Sequence, residues 1–141
     1  MIRGVYCLGN PGAVLKPMLK VLNTKGSLWR MDCILQTDYS DMEEGMYSER
    51  GIEKILDEDG GLIQFRLCRF NENIDQEVKD YDDFIKSDCT CVILCTDVGY
   101  FNIYDKEYDE CLKLYEVLKQ VELEELEYIT DENDGQYTYL I

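Results

Sequence analysis

The run CTCVILCTDV, residues 89–98, is almost unbroken apolar and β-branched, and it constrains the fold more than any other stretch. It lacks the alternation of a half-wet strand, so both of its faces need cover, and the place for such a strand is the middle of a sheet. YFNIY, 100–104, pairs with it across Gly99. Neither this run nor any other approaches the ~18 apolar residues of a membrane span.

Other elements follow from period and punctuation. Residues 2–8 read as a first strand, stopped by GNPG. Asn10-Pro11 suits a helix cap followed by proline at the first helical position. Leu15, Met18, Leu19 and Leu22 then share one helical face, and Pro17 either delays the helix start or kinks it. Residues 27–37 alternate Leu28, Arg30, Asp32 against Trp29, Met31, Cys33, as a second strand does. The polar stretch 38–48 reads as a loop, and Ile52, Ile55 and Leu56 mark a short helix ended by Asp59-Gly60-Gly61.

LIQFRLCRF, 62–70, alternates with Gln64 and Arg66 on a wet face. Val78, Tyr81, Phe84 and Ile85 carry a helix within 75–89. Asp105 caps the clearest helix, whose stripe is Tyr108, Cys111, Leu112, Tyr115 and Leu118. LEYI and QYTYLI close the chain as two strands around DENDG. Strands and helices interspersed in this way give one α+β domain over residues 1–141. The expected sheet is mixed or largely antiparallel, with about five to seven strands packed by three to four helices.

Charge is divided unevenly. Residues 1–35 carry a balance of +4 and the remaining 106 residues −20, for −16 in all. Such a field opposes phosphate backbones and anionic membranes, so neither nucleic acid nor membrane is expected as a partner. It speeds the approach of a basic protein. The seven cysteines are an odd number, and MIRGVYCLGN is too short for a secretory leader. Free, buried thiols and a cytoplasmic location are the expectation.

The most chemical-looking segment is DENDG, 131–135. A calcium loop would set the glycine five positions after the first aspartate and end on a glutamate, and Gly135 stands four after Asp131. The segment reads instead as a turn between two strands. Cys89, Cys91 and Cys95, at spacings of two and four, are expected on one strand face spread over about 20 Å, which cannot chelate one ion. No metal and no cofactor is therefore expected. With no histidine in the chain, neither a Cys-His dyad nor a Ser-His-Asp triad can form, and no catalytic residue is assigned. GNPG lacks both glycine patterns of phosphate-binding loops. The stretch that stands out is the base-free acid run Glu122, Glu124, Glu125, Glu127, Asp131, Glu132 and Asp134. It is either a solvated rim that blocks edge-to-edge pairing or a docking surface for a cationic partner.

DDFIKSDCTCVILCTDVGYFNIYDK followed by YITDENDG resembles the tail of a small uncharacterised bacterial family known only as a domain of unknown function. RGV at 3–5 and LKP at 15–17 are similar to that family's N-terminal pattern. The resemblance implies a bacterial cytoplasmic origin and supplies no catalytic residues. The expected function is thus a non-enzymatic acidic interaction protein, of the inhibitor or immunity type, that binds a basic protein through the acid run. The rivals are a small-molecule-binding domain or small enzyme using carboxylate or thiol chemistry, and an oligomer formed through an exposed strand or tyrosine-rich surface.

Overall fold

A computed structural model describes residues 1–38, 42–58, 62–72, 75–97 and 99–140. The chain forms an α+β domain built on one seven-stranded sheet. The strands are β1 (Ile2–Leu8), β2 (Leu28–Gln36), β3 (Gly45–Ser48), β4 (Leu62–Phe70), β5 (Cys89–Thr96), β6 (Tyr100–Asp105) and β7 (Glu125–Thr130). Their spatial order is β3-β2-β4-β5-β6-β1-β7, and every neighbouring pair is antiparallel. The helices are α1 (Pro11–Leu22), α2 (Glu49–Glu58), α3 (Tyr81–Lys86) and α4 (Tyr108–Leu118). No helix among the described residues is long and apolar enough to cross a membrane.

β5 occupies the centre of the order, as its composition demands. Alternate residues feed two separate cores. Cys91, Ile93 and Cys95 join α1, α2 and α4 on one face, together with Trp29, Met31, Phe65, Leu67 and Phe101. Val92 and Leu94 join Cys68, Phe70, Phe84 of α3, Tyr104 and Tyr139 on the other. The expectation that Cys89, Cys91 and Cys95 share a face fails at Cys89, which lies in the second core. Cys91 pairs with Arg69 and Cys89 with Phe70, so Thr90 is an extra residue, and a bulge of this kind reverses the alternation.

α1 begins at Pro11 rather than at Pro17. Asn10 accepts a hydrogen bond from the Gly12 amide at 2.9 Å, and the helix runs on through Pro17 because Val14, Leu15, Met18, Leu19 and Leu22 bury one continuous stripe. Packing thus outweighs the hydrogen bond that proline removes. α3 is only six residues long, capped by Asp80, which accepts from the Asp83 amide. Val78 precedes the helix but is still fully buried, whereas Ile85 is exposed.

Four further expectations are corrected. Within 38–48, residues 45–48 are β3, paired to β2; residues 39–41 lie outside those described, as does the expected helix stop at 59–61. The face of β4 that carries Arg66 is not wet: Arg66 is 5% exposed, because Asp32 takes its Nε and Nη2 protons at 2.7 Å each and the Val78 carbonyl takes Nη1 at 2.7 Å. Asp105 ends β6 and does not cap α4, whose cap position is Glu107. Finally, QYTYLI forms no strand. It crosses the second face, where Tyr139 is fully buried and its amide donates to the Lys79 carbonyl at 2.7 Å.

β1 threads between β6 and β7, and at Gly4 the approach is so close that a β-carbon would be driven into the Ile103 carbonyl. Gly4→Ala must therefore shift β1 or β6, and should cost about 1–3 kcal/mol as overpacking does. A urea-denaturation midpoint equal to that of the parent chain would refute this.

Candidate functional site

β7 is an edge strand paired only with β1, so the hydrogen-bonding groups along its outer side face no neighbouring strand. It is fixed from above by α4, where Tyr115 and Tyr128 stack with ring centres 4.2 Å apart. Leu126 and Tyr128 therefore pack against the helix-side core. Glu125 and Glu127 take the opposite face by alternation, and there they border a recess of about 290 Å³ that Tyr6, Asn102 and Asp134 also line. Sequence reading missed Tyr6, although its position between the inward-facing Val5 and Cys7 of β1 already puts it on this face. Burial, with Glu125 beside it, raises the Tyr6 pKa.

The structure divides the seven acids into two groups. Asp131 and Asp134 pair with a cation of the fold itself, Asp134 covered and Asp131 half exposed: Arg3 donates Nε to Asp131 Oδ1 and Nη1 to Asp134 Oδ2, both at 3.1 Å. Asp134 also accepts the Tyr104 hydroxyl at 2.8 Å, and its side chain is 4% exposed. Arg3 in turn lies 3.9 Å over the Tyr81 ring. These two aspartates therefore tie β7 and the crossing tail to β1 and β6. Glu122, Glu124, Glu125, Glu127 and Glu132 are exposed, and none has a cation within ion-pair reach among the described residues.

DENDG is a turn, but not of the hairpin kind. Asn133 Oδ1 accepts from the Thr130 amide at 2.7 Å and Asn133 Nδ2 donates to the Tyr128 carbonyl at 2.9 Å, so a side chain closes the loop. Gly135 makes no close approach and is not among the positive-φ residues.

A second charged group, unforeseen from the sequence, lies under α4. Arg69 of β4 donates to Thr90 Oγ1 at 2.8 Å, to the Leu22 carbonyl at 2.6 Å and to Glu110 Oε1 at 2.7 Å. Asp105 Oδ2 lies 3.8 Å from Arg69 Nη2 with its side chain fully covered, and it accepts no hydrogen bond among the described residues. Burial, and then the neighbouring Glu110, push the Asp105 carboxyl up to about 8. Glu110 is held low: burial opposes ionisation, but hydrogen bonds from Asp105 and Arg69 outweigh it. The pair thus shares one negative charge next to one guanidinium. Arg69 and Glu110 line a polar recess of about 290 Å³ with Thr24, Ser27, Thr90 and Glu107.

The thiols form no disulfide. All seven are free and only Cys33 is not buried. Burial pushes Cys7, Cys95 and Cys111 up to about 12, which keeps them as poor nucleophiles. No group of three acidic, cysteine or histidine side chains among the described residues could hold a metal ion.

The family described as "Protein of unknown function (DUF2691)" matches residues 10–140. A Bacillus subtilis (strain 168) relative, "Uncharacterized protein YncE", is 41% identical over 73 residues, a stretch covering 52% of this chain and 47% of that protein. The match thus spans about half of the relative's length. No solved structure matches.

The Asp105 cluster sets a pH dependence. A carboxyl raised from 3.8 to about 8 on folding adds stability that is complete below its unfolded value and is lost as pH rises through about 8. The groups facing it are Arg69 of β4, Cys91 of β5, and Glu110 and Cys111 of α4. Asp105→Asn cannot ionise, so its melting temperature should fall less between pH 5 and pH 9 than that of the parent chain. Parallel curves from calorimetry would show that Asp105 titrates normally.

Proposed function

We propose that this chain, which belongs to the DUF2691 family of proteins of unknown function, is a non-enzymatic interaction protein of the inhibitor or immunity type. Its partner is a basic protein, and the docking face is the outer edge of β7 with Glu122, Glu124, Glu125, Glu127 and Glu132. One observation carries this reading. Arg3, Arg66 and Arg69 are held by carboxylates of the fold itself, while those five glutamates face solvent with no cation near them. The strand edge beside them offers unpaired backbone groups to an extended basic segment.

A second reading, a small-molecule-binding domain or small enzyme using carboxylate chemistry, draws support from the raised Asp105 carboxyl, since perturbed acids cluster at functional sites. Its full coverage favours the first. Arg69 and Glu110 line the nearby recess, and Asp105 does not. A substrate in that recess would meet an ion pair already satisfied within the fold.

Acids on a strand edge also block self-pairing, and charge reversal separates the two roles. The protein immobilised in its source lysate should retain basic proteins at low salt and shed them by about 0.5 M, where screening is strong. The variant Glu124→Lys/Glu125→Lys/Glu127→Lys should weaken that capture by at least about tenfold, at the order of 0.5 kcal/mol for each exposed charge. If the triple variant instead keeps the same partners and only self-associates by light scattering, or if the parent retains nothing at any salt, the docking role is wrong.

A further inference from the structure

On the helix-covered face, α1 and α2 leave between them a cleft of about 640 Å³, within the usual size range of a small-molecule site. Its floor is hydrocarbon: Leu15 and Leu19 of α1 and Leu56 of α2, all nearly buried. Its walls are cationic. Lys16 and Lys20 line it from α1, and Arg50 and Lys54 from α2, against Glu53 and Asp57.

This balance of two positive charges stands in a chain whose net charge is −16. Within each helix the cations stand at i and i+4, Lys16 with Lys20 and Arg50 with Lys54, a spacing at which like charges weaken a helix. None of the four lies within ion-pair reach of a carboxylate among the described residues. With 30 acids in the chain, a cleft that sets four cations without ion-pair partners against only two carboxylates over an apolar floor carries a local excess of positive charge that a bound anion would offset. The start of α1 is not the attraction, because Asn10 already occupies the Gly12 amide at 2.9 Å.

We propose that this cleft binds a small amphipathic anion, its hydrocarbon body on the leucine floor and its carboxylate or phosphate head among Lys16, Lys20, Arg50 and Lys54. Three of the four cations are lysines, point charges on flexible stems without the fixed fork of arginine, so they accept either head. The site is independent of the β7 edge and stands or falls separately from it.

Calorimetric titration of the full chain with octyl phosphate and with octanoate, both below micelle formation, tests this. One saturable site is expected for at least one of them, and the amphiphile that binds identifies the head. Lys20→Gln/Lys54→Gln, both exposed positions, should weaken it about tenfold, equivalent to about 1.4 kcal/mol. Lys113→Gln, exposed on α4 outside the cleft, should leave it unchanged. Thermal unfolding of each variant checks that the fold persists. The proposal is overturned by no saturable binding, by octanol binding as well as the anions, or by inorganic phosphate or acetate binding as well as the octyl compounds. Insensitivity to the double substitution overturns it too, as does binding seen only with phosphatidylglycerol vesicles.

Discussion

Arg69 carries a charge where water barely reaches it, and several separate pieces of chain have to stay in place for that charge to be tolerated. β4 supplies the residue, β5 the Thr90 hydroxyl, α1 its last carbonyl at Leu22, and α4 the Glu110 carboxylate. Asp105 at the end of β6 stands behind. Moving an ion into such a site costs several kcal/mol, and the return depends on filling its donors with good geometry. The cluster is therefore weak evidence of net stability and good evidence of register. If α4 slides by one turn or α1 ends a residue early, the guanidinium loses a partner it cannot replace with water. The same demand explains why Asp105 is the acid that gives up its charge: one guanidinium cannot balance two adjacent carboxylates, and Asp105 is fully covered while Glu110 is partly exposed.

The arginines on the sheet share this economy. Arg3, Arg30, Arg66 and Arg69 are each held by carboxylates within the fold, and planar guanidinium is the cation best suited to such inward roles. What is left outside is a large excess of acids and a smaller set of lysines. Three of those lysines, Lys16, Lys20 and Lys54, gather with Arg50 in the cleft between α1 and α2. Of the five cations in the first 35 residues, Arg3 and Arg30 sit in ion pairs of the fold, Lys16 and Lys20 line one side of the groove and Lys25 is exposed outside both, a division that a linear charge count cannot separate.

The same distinction decides what was legible in the sequence. β5 could be read because burial on both faces leaves a compositional trace, and its central place follows. A mixed or largely antiparallel sheet, the β5–β6 hairpin and three to four helices could be read from period and turn residues; the second expected hairpin, LEYI with QYTYLI around DENDG, does not form. Arg66 and Arg69 could not be read, because a buried arginine in an alternating strand looks like one on a wet face until its partner is known, and Glu110 lies 41 residues away from Arg69. Cys89 was misplaced because a bulge has no residue signature here beyond an ordinary threonine. QYTYLI has the alternation of a strand, with Tyr137 exposed and Tyr139 buried, yet it is anchored by a single tyrosine in an aromatic pocket rather than by a ladder. Of the acid run, the exposure of the glutamates was readable; the diversion of Asp131 and Asp134 to Arg3 was not, since it depends on β1 lying beside β7.

The acidic surface follows one edge of the sheet, and the helix that walls the far side of the cleft, α2, packs near the other edge. α2 contacts β2 and β3, whereas α4 contacts β1 and β7, with α1 between the two helices. Seven strands at about 4.8 Å spacing separate the edges by roughly 29 Å, several times the ~8 Å Debye length at physiological ionic strength. Charges at the two edges of the sheet are thus screened from each other in salt. At low ionic strength they are not: the excess negative charge reaches across the molecule and opposes the entry of any anion to the cleft, while it draws a basic protein to the β7 edge. Raising salt therefore acts with opposite sign on the two encounters at first, easing long-range repulsion at the cleft while weakening attraction at the edge, before it screens the cleft's own lysines as well. A single strongly acidic chain can in this way keep a cationic groove in working order, because within the groove four cations outnumber the two acids, Glu53 and Asp57, that line it, while the acids of the far edge are screened.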